Sequence, residues 1–187
     1  MRLPDKDTHF QGAEHYQTDI LRKSLKYVRD FRQAVDIGAH VGYWSQHLAT
    51  AFKEVVAFEP VADNFECLKE NAPSITAYNC ALGASQGLGK MINPKESNSG
   101  AWELIEGSET NILPLDEFNL SPNYIKIDVQ GSERDVLLGA ERTIRIHKPV
   151  VIIEVMVNNV FDITLIRLLQ KYGLEYREML MKNIIMG

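Results

Sequence analysis

Asp36, Glu59, Asp128 and Glu154 each lie at or near the end of a short apolar run, which places four carboxylates where buried strands give way to loops. Asp36 leads into Gly38-Ala39-His40-Val41-Gly42, a turn whose glycines allow backbone geometry or close approach that a Cβ would block. A helix opening at that turn has unpaired amides and the positive end of its dipole there, so an anionic group would be favoured. Glu59 ends the next strand, where an acidic residue in nucleoside-binding sheets accepts hydrogen bonds from two ribose hydroxyls. Turn and acid together point to a nucleoside cofactor. A dinucleotide fingerprint requires Gly-x-Gly-x-x-Gly to close on a pyrophosphate, and His40 stands where its middle glycine would be. S-adenosylmethionine carries no phosphate, and Asp36 is placed to receive its ammonium group directly or through water.

Asp128 and Glu154 suit a different task. An alkyl hydroxyl is a poor nucleophile until its proton is leaving, and a carboxylate whose pKa burial has raised toward neutral can take that proton. Either residue can instead be structural, Asp128 capping the following turn and Glu154 bonding amides of the Met156-Val157-Asn158-Asn159 loop. The pair could also hold a divalent cation through hard carboxylate oxygens, although no metal site is expected. His9, His15, His47 and His147 have no ligand or triad spacing and suit surface or capping roles. Cys67 and Cys80 lack a Cys/His cluster and read as reduced, buried thiols. Trp102 can stack on a sugar face or pack on its own domain.

The elements that must carry these residues alternate between strand and helix. Ile20, Leu21, Leu25 and Val28 give residues 13–29 a helical spacing, and residues 34–38 form a strand. A helix from Gly42 carries Trp44, Leu48, Ala51 and Phe52; residues 54–59 are a strand ended by Pro60, and Phe65 and Leu68 mark a helix stopped by Pro73. One strand is expected over residues 75–82 and another over 123–128. Ser132 and Asp135 resemble a capping box opening one helix through Ile146. A strand over 150–154, a helix with Ile166 and Leu169 inward and Gly173 at its stop, and short strands over 174–177 and 183–186 complete the pattern. Such alternation implies a mostly parallel sheet with helices on both faces and ligands at the carboxyl ends of its strands. Residues 92–113, rich in Asn, Ser, Gly and Glu, read either as a functional loop or as a hairpin.

The 187 residues carry 20 basic and 25 acidic side chains, a formal charge of −5, and 45% of them are hydrophobic. These values fit one soluble domain with a real core, composed of an N-terminal helical segment (1–30), a cofactor-binding core (34–155) and the 92–113 insertion. No run approaches the roughly 18 apolar residues that span a bilayer, and the charged start is unlike a signal peptide, so a cytoplasmic protein without a membrane partner is expected. An acidic chain without a Lys/Arg stripe also disfavours nucleic acid.

The sequence resembles the FkbM-type methyltransferases, a branch of the class I S-adenosylmethionine-dependent fold. The likeness rests on residues 35–43, on Ala57-Phe58-Glu59-Pro60, on Ala81-Leu82-Gly83 and on Leu115-Asp116-Glu117. Its most specific part is Ile125-Lys126-Ile127-Asp128-Val129-Gln130-Gly131-Ser132-Glu133, with Val136-Leu137-Leu138-Gly139-Ala140 and Lys148-Pro149-Val150 beyond it. Two positions depart from the family: His40 replaces the usual Asn, and Gln130 the usual Glu, which removes a charge or base at that place. The resemblance implies a Rossmann-like, seven-stranded α/β sheet with an antiparallel last strand. It also implies methyl transfer, commonly to a hydroxyl of a sugar or secondary metabolite. By position, Asp36, Gly38, His40 and Gly42 would hold the methionine end of the cofactor, Glu59 its ribose, and Cys80-Ala81-Leu82 would flank the adenine, with Asp128 facing the site.

A nucleic-acid methyltransferase is opposed by the missing Asn-Pro-Pro-Tyr, Asp-Pro-Pro-Tyr and Pro-Cys motifs, for which Asn93-Pro94-Lys95-Glu96 does not substitute. His40 opposes a nicotinamide oxidoreductase, while Gln130 keeps open a protein that binds the cofactor or its demethylated product without catalysis. Specificity is expected around Trp102 and near Tyr16 and Gln17, in an acceptor site that is shallow or completed by a partner.

Overall fold

The computed structural model describes residues 1–5, 7, 14–95, 98–155 and 161–187, without the side chains of residues 14–16, 161 and 162. His9, Glu96, the Met156–Asn159 loop and the side chains of His15 and Tyr16 therefore lie outside the described residues.

In chain order the elements begin α1 (Glu14–Leu25), β1 (Gln33–Ile37), α2 (Tyr43–Ala51), β2 (Glu54–Phe58), α3 (Ala62–Asn71), β3 (Thr76–Tyr78) and β4 (Ala81–Leu82). They continue β5 (Gly87–Ile92), β6 (Glu103–Glu106), β7 (Thr110–Leu113), β8 (Tyr124–Ile127), α4 (Glu133–Leu138), α5 (Glu141–His147) and β9 (Val150–Glu154). The chain finishes with α6 (Phe161–Lys171), β10 (Tyr176–Leu180) and β11 (Asn183–Met186). Seven strands form one sheet in the order β10-β11-β9-β8-β1-β2-β3, in which β11 alone runs against its neighbours. This is the expected mostly parallel sheet with an antiparallel last strand.

Alternate residues of the inner strands feed two apolar layers, because successive side chains of a strand point to opposite faces. Val35, Ile37, Ile125, Ile127, Val151 and Ile153 pack with Leu137, Ile144 and Leu169 of α4, α5 and α6. Ala34, Tyr124 and Ile152 pack with Ile20, Leu21, Trp44 and Leu48 of α1 and α2. The second face also takes Asp36, Lys126, Asp128 and Glu154 by the same alternation, so a polar cluster sits above an otherwise apolar layer.

Three local expectations change. Residues 75–82 form two strands rather than one: β3 extends the main sheet beside β2, and β4 pairs with β7 in a second sheet ordered β4-β7-β5-β6. Asn79 fixes the break between them, its Nδ2 donating to the carbonyls of Glu59 and Pro60. The 92–113 stretch contributes strands to that second sheet. The helix expected through Ile146 divides at Gly139 and Ala140 into α4 and α5, and Ser132 makes no side-chain cap bond, so there is no capping box. Asp116 instead accepts from the amides of Arg142 and Thr143 at 2.9 and 2.8 Å, capping the second helix from across the chain.

Candidate functional site

The carboxyl ends of β1, β2, β8 and β9 open into a cavity of about 350 Å³, roofed by residues of the second sheet and its loops, Met91, Ser99, Trp102 and Leu104 among them. Gly38, His40, Glu59, Ala81, Asp128 and Glu154 line it together, as do Trp102 and Gln17, both singled out from the sequence. Asp36 and Gly42 are not on its wall.

The turn after β1 is built so that little but glycine fits at its start. Gly38 has φ +73°, and a Cβ there would lie 1.9 Å from the carbonyl oxygen of Asp128. Strand β8 therefore ends in backbone contact with the turn. His40 also has a positive φ, +52°, a region that His tolerates better than most side chains. The replacement of Asn by His is thus compatible with the backbone.

Four amides of the turn already have partners within the chain. The amides of Gly38 and Ala39 donate to Phe58 O, His40 N donates to Glu59 Oε2 at 2.8 Å, and Gly42 N donates to Ala39 O. The chain's own carbonyls and the Glu59 carboxylate satisfy the amides of Gly38, Ala39, His40 and Gly42. Gly42 packs against Leu68 and opens α2 without a side-chain cap.

Asp36 differs from its expected role as well. Its side chain is 0% exposed, Ser45 Oγ donates to its Oδ2 at 2.7 Å, and Lys126 Nζ lies 3.3 Å from its Oδ1. Buried beneath the turn, Asp36 is not in direct reach of a ligand in the cavity. Lys126 also donates to Gly38 O at 2.8 Å and lies 3.6 Å from Asp128 Oδ2. Burial opposes its charge, but Asp36, Asp128 and Glu154 outweigh that and keep its pKa above the ordinary lysine value.

On the cofactor side, Glu59 is 5% exposed, and its Oε1 accepts from Val61 N at 2.9 Å. Burial pushes its pKa up to about 7 against the opposing pull of the two backbone hydrogen bonds. Asn64 of α3 is 2% exposed; its Nδ2 donates to Ser99 O at 2.9 Å, while its Oδ1 has no hydrogen-bond partner. An orphaned acceptor on the cavity wall beside a buried carboxylate suits a ligand with adjacent hydroxyl donors, as a ribose has. Phe58, Cys80, Ala81 and Leu82 supply apolar wall for a base. The residues present therefore fit an adenosyl group.

His40 ties the roof to the turn. Its Nε2 is hydrogen-bonded to Ser99 Oγ, which in turn donates to Asp7. Burial drives the His40 pKa down to about 4, so the ring is neutral near pH 7.

On the opposite side, Gln130 Nε2 donates to Asp128 Oδ1 at 2.8 Å. The amide that replaces the family's usual Glu thus binds a carboxylate rather than facing it with a second negative charge. Glu154 lies beside Asp128; burial first, and Asp128 second, raise its pKa to about 7, while Lys126 and Lys182 draw it down. Such a group exchanges a proton near neutrality. Among the described residues no cluster of three His, Cys, Asp or Glu side chains is disposed to hold a metal ion. Cys67 and Cys80 are free and buried.

Asn64, Lys126 and Ser99 were not among the sequence candidates. Lys126 had a signal, a charge inside an apolar strand where only a paired cation can be buried. Asn64 and Ser99 had none, since each gains its place through contacts distant in sequence.

The family pattern described as the methyltransferase FkbM domain matches residues 36–176. A hexuronic acid methyltransferase of Haloferax volcanii is 31% identical over 135 residues, 66% of this chain and 56% of the relative, so the chain spans about half the length of the curated relative it matches. The solved structure of the methyltransferase FkbM from Methylobacillus flagellatus superposes with a TM-score of 0.58 at 23% identity, covering 83% of this chain and 43% of that one. The magnesium protoporphyrin IX methyltransferase of Synechocystis, solved with bound S-adenosylmethionine, gives 0.54 at 12% identity over 93% of this chain and 78% of the other. These structures share the class I methyltransferase fold, and the matched pattern extends from the first site carboxylate through the whole strand-end cluster: the chain belongs to the FkbM methyltransferase family.

Proposed function

We propose that this chain carries out S-adenosylmethionine-dependent O-methylation of a hydroxyl on a sugar or similar small molecule. The carrying observation is that one cavity is lined on one side by hydroxyl acceptors, Glu59 and Asn64, and on the other by a carboxylate pair, Asp128 and Glu154, poised to exchange a proton. When bound, the cofactor supplies an electrophilic methyl group on a sulfonium and leaves as a neutral thioether.

In this reading Glu59 and Asn64 hold the ribose, and the wall formed by Phe58, Ala81 and Leu82 takes the adenine. The turn at Gly38 and His40 bounds the methionine end. The carboxylate pair receives the acceptor proton as the acceptor oxygen forms its bond to carbon and the carbon–sulfur bond breaks, its electron pair passing to sulfur. Alignment of the acceptor contributes much of the acceleration in such an in-line displacement. Trp102 offers an aromatic face for a sugar ring, and Lys182 a cation at the mouth beside Glu154. Both suit a sugar acid, the substrate class named for the Haloferax volcanii relative. The free thiols are compatible with a reducing compartment, and we place the reaction in the cytoplasm.

The test is calorimetric titration with S-adenosylmethionine and with NAD, followed by transfer of labelled methyl groups to a panel of uronic acids and neutral sugars. Micromolar binding, absent for NAD, together with label on a sugar supports the reading. Binding without transfer to any acceptor would favour a protein that holds the cofactor without catalysis, and no binding by folded protein would overturn both.

A further inference from the structure

Asp128 and Glu154 end adjacent parallel strands, face the same cavity and differ in what surrounds them. Asp128 is met by one hydrogen-bond donor, Gln130 Nε2 at 2.8 Å from Oδ1, and by the charge of Lys126, whose Nζ lies 3.6 Å from Oδ2. Glu154 is met by no protein N–H among the described hydrogen bonds, and Asp128 follows the neighbouring register position on the adjacent strand, where its charge opposes ionisation of Glu154. Two carboxylates side by side lose their protons in two steps, the second leaving against the charge of the first. The surroundings decide which keeps its proton longer: a carboxylate facing an N–H donor and an ammonium charge gains from being ionised, whereas its neighbour, with neither in contact, holds its proton to higher pH.

From this geometry we infer that Lys126 is a positioning residue of the reaction, which fixes Asp128 as the ionised member of the pair and thereby assigns the exchangeable proton to Glu154. The inference rests on the methyl-transfer reading for its chemical purpose. Glu154 becomes the catalytic base: ionised at the start of the step, it takes the acceptor's hydroxyl proton onto a carboxylate oxygen and later returns it to solvent. Lys126 suits the task because it is immobile. Its ammonium group is anchored to Gly38 O and to Asp36, whose own carboxylate is held by Ser45, so its charge cannot swing away from Asp128.

The other charged groups around the pair come from different elements. Lys182, in the turn between β10 and β11, draws Glu154 toward ionisation. Glu133 of α4 feels the charge of Asp128 and is itself raised, chiefly by burial. His40 is neutral near pH 7, and Asp36 is neutralised locally by Lys126. None of these groups stands between Lys126 and Asp128.

The test is a carbon-13 NMR titration of side-chain carboxyls in the ligand-free chain, with Glu154→Gln and Asp128→Asn as assignment variants. In the wild type, the step near pH 7 is expected on the Glu154 carboxyl. In the charge-balanced variant Asp36→Asn/Lys126→Met, which leaves no buried acid without its cation at that place, most of the amplitude should move to the Asp128 carboxyl. Gln130→Leu, which removes one donor at a half-buried position, should move a smaller part of it. A step that stays wholly on Glu154 in both variants would overturn the inference and leave Lys126 as an anchor of the fold. Loss of cofactor binding in the wild type would instead defeat the methyl-transfer reading, without altering the titration.

Discussion

Asp36 and Lys126 are register partners on adjacent strands β1 and β8, and their side chains meet as a buried ion pair at 3.3 Å. Removing one member leaves the other buried without its countercharge. Lys126→Met is expected to destabilise the protein by about 3–5 kcal/mol. Asp36→Asn/Lys126→Met should recover much of that loss, since it removes both charges. Urea unfolding of the three proteins checks this; equal destabilisation by the single and double changes would mean that the pair is not coupled.

Gly38 to Ala tests the turn. With φ at +73° and Asp128 O 1.9 Å from the new Cβ, strain and collision act together, and neither neighbour is a flexible side-chain end. A loss of several kcal/mol in stability and of cofactor binding is expected, whereas Gly87→Ala, which meets nothing within 4 Å, should be nearly silent.

Glu59 gives a pH signature. Its pKa is raised above the unfolded value to about 7, so the stability associated with its protonated form is complete below roughly pH 4.5 and is lost as pH rises through 7. A shift of this size is worth about 3 kcal/mol. Glu59→Gln should flatten the fall in stability between pH 5 and pH 8 seen in denaturant titrations of the wild type. Ribose hydroxyls donating to the carboxylate favour its ionised form, so binding near pH 6 should release protons. Calorimetry in two buffers of different ionisation enthalpy would show this, and release equal to that of Glu59→Gln would contradict it.

Ser99 joins the roof to the turn through His40 and accepts the Asn64 amide on its carbonyl. Ser99→Ala removes the hydroxyl from the His40 contact while keeping the carbonyl. An increase of about fivefold in cofactor dissociation constant is expected, on the scale of about 1 kcal/mol for one hydrogen bond. Trp102→Ala should behave differently, weakening the acceptor through KM and leaving the cofactor constant within twofold; a large change in the latter would place Trp102 against the cofactor instead.

The sheet was legible in the sequence because the inner strands are buried on both faces, and the unbroken runs at residues 54–58 and 150–154 have few alternatives. The wall positions of Gly38, Glu59, Asp128 and Glu154 followed, since strand ends fix where side chains emerge. The depth of Asp36 was not legible, because spacing along the chain says nothing of depth: it faces the same side as Asp128 but lies one residue before the end of β1, under the turn. The break at Asn79 and the division of the helix at Gly139 are set by partners at Glu59, Pro60 and Asp116, distant in sequence and invisible to a count of periods.

Strand β1 lies inside the sheet, with β2 on one side and β8 on the other. A chain emerging from the ribosome completes β1, β2 and β3 long before residue 126 is made, and Asp36 has no countercharge until then. Closing β8 onto β1 requires a long loop to be ordered first, a slow step in proteins dominated by distant pairings. The order of synthesis thus makes the second half of the chain the condition for burying Asp36 beside its countercharge.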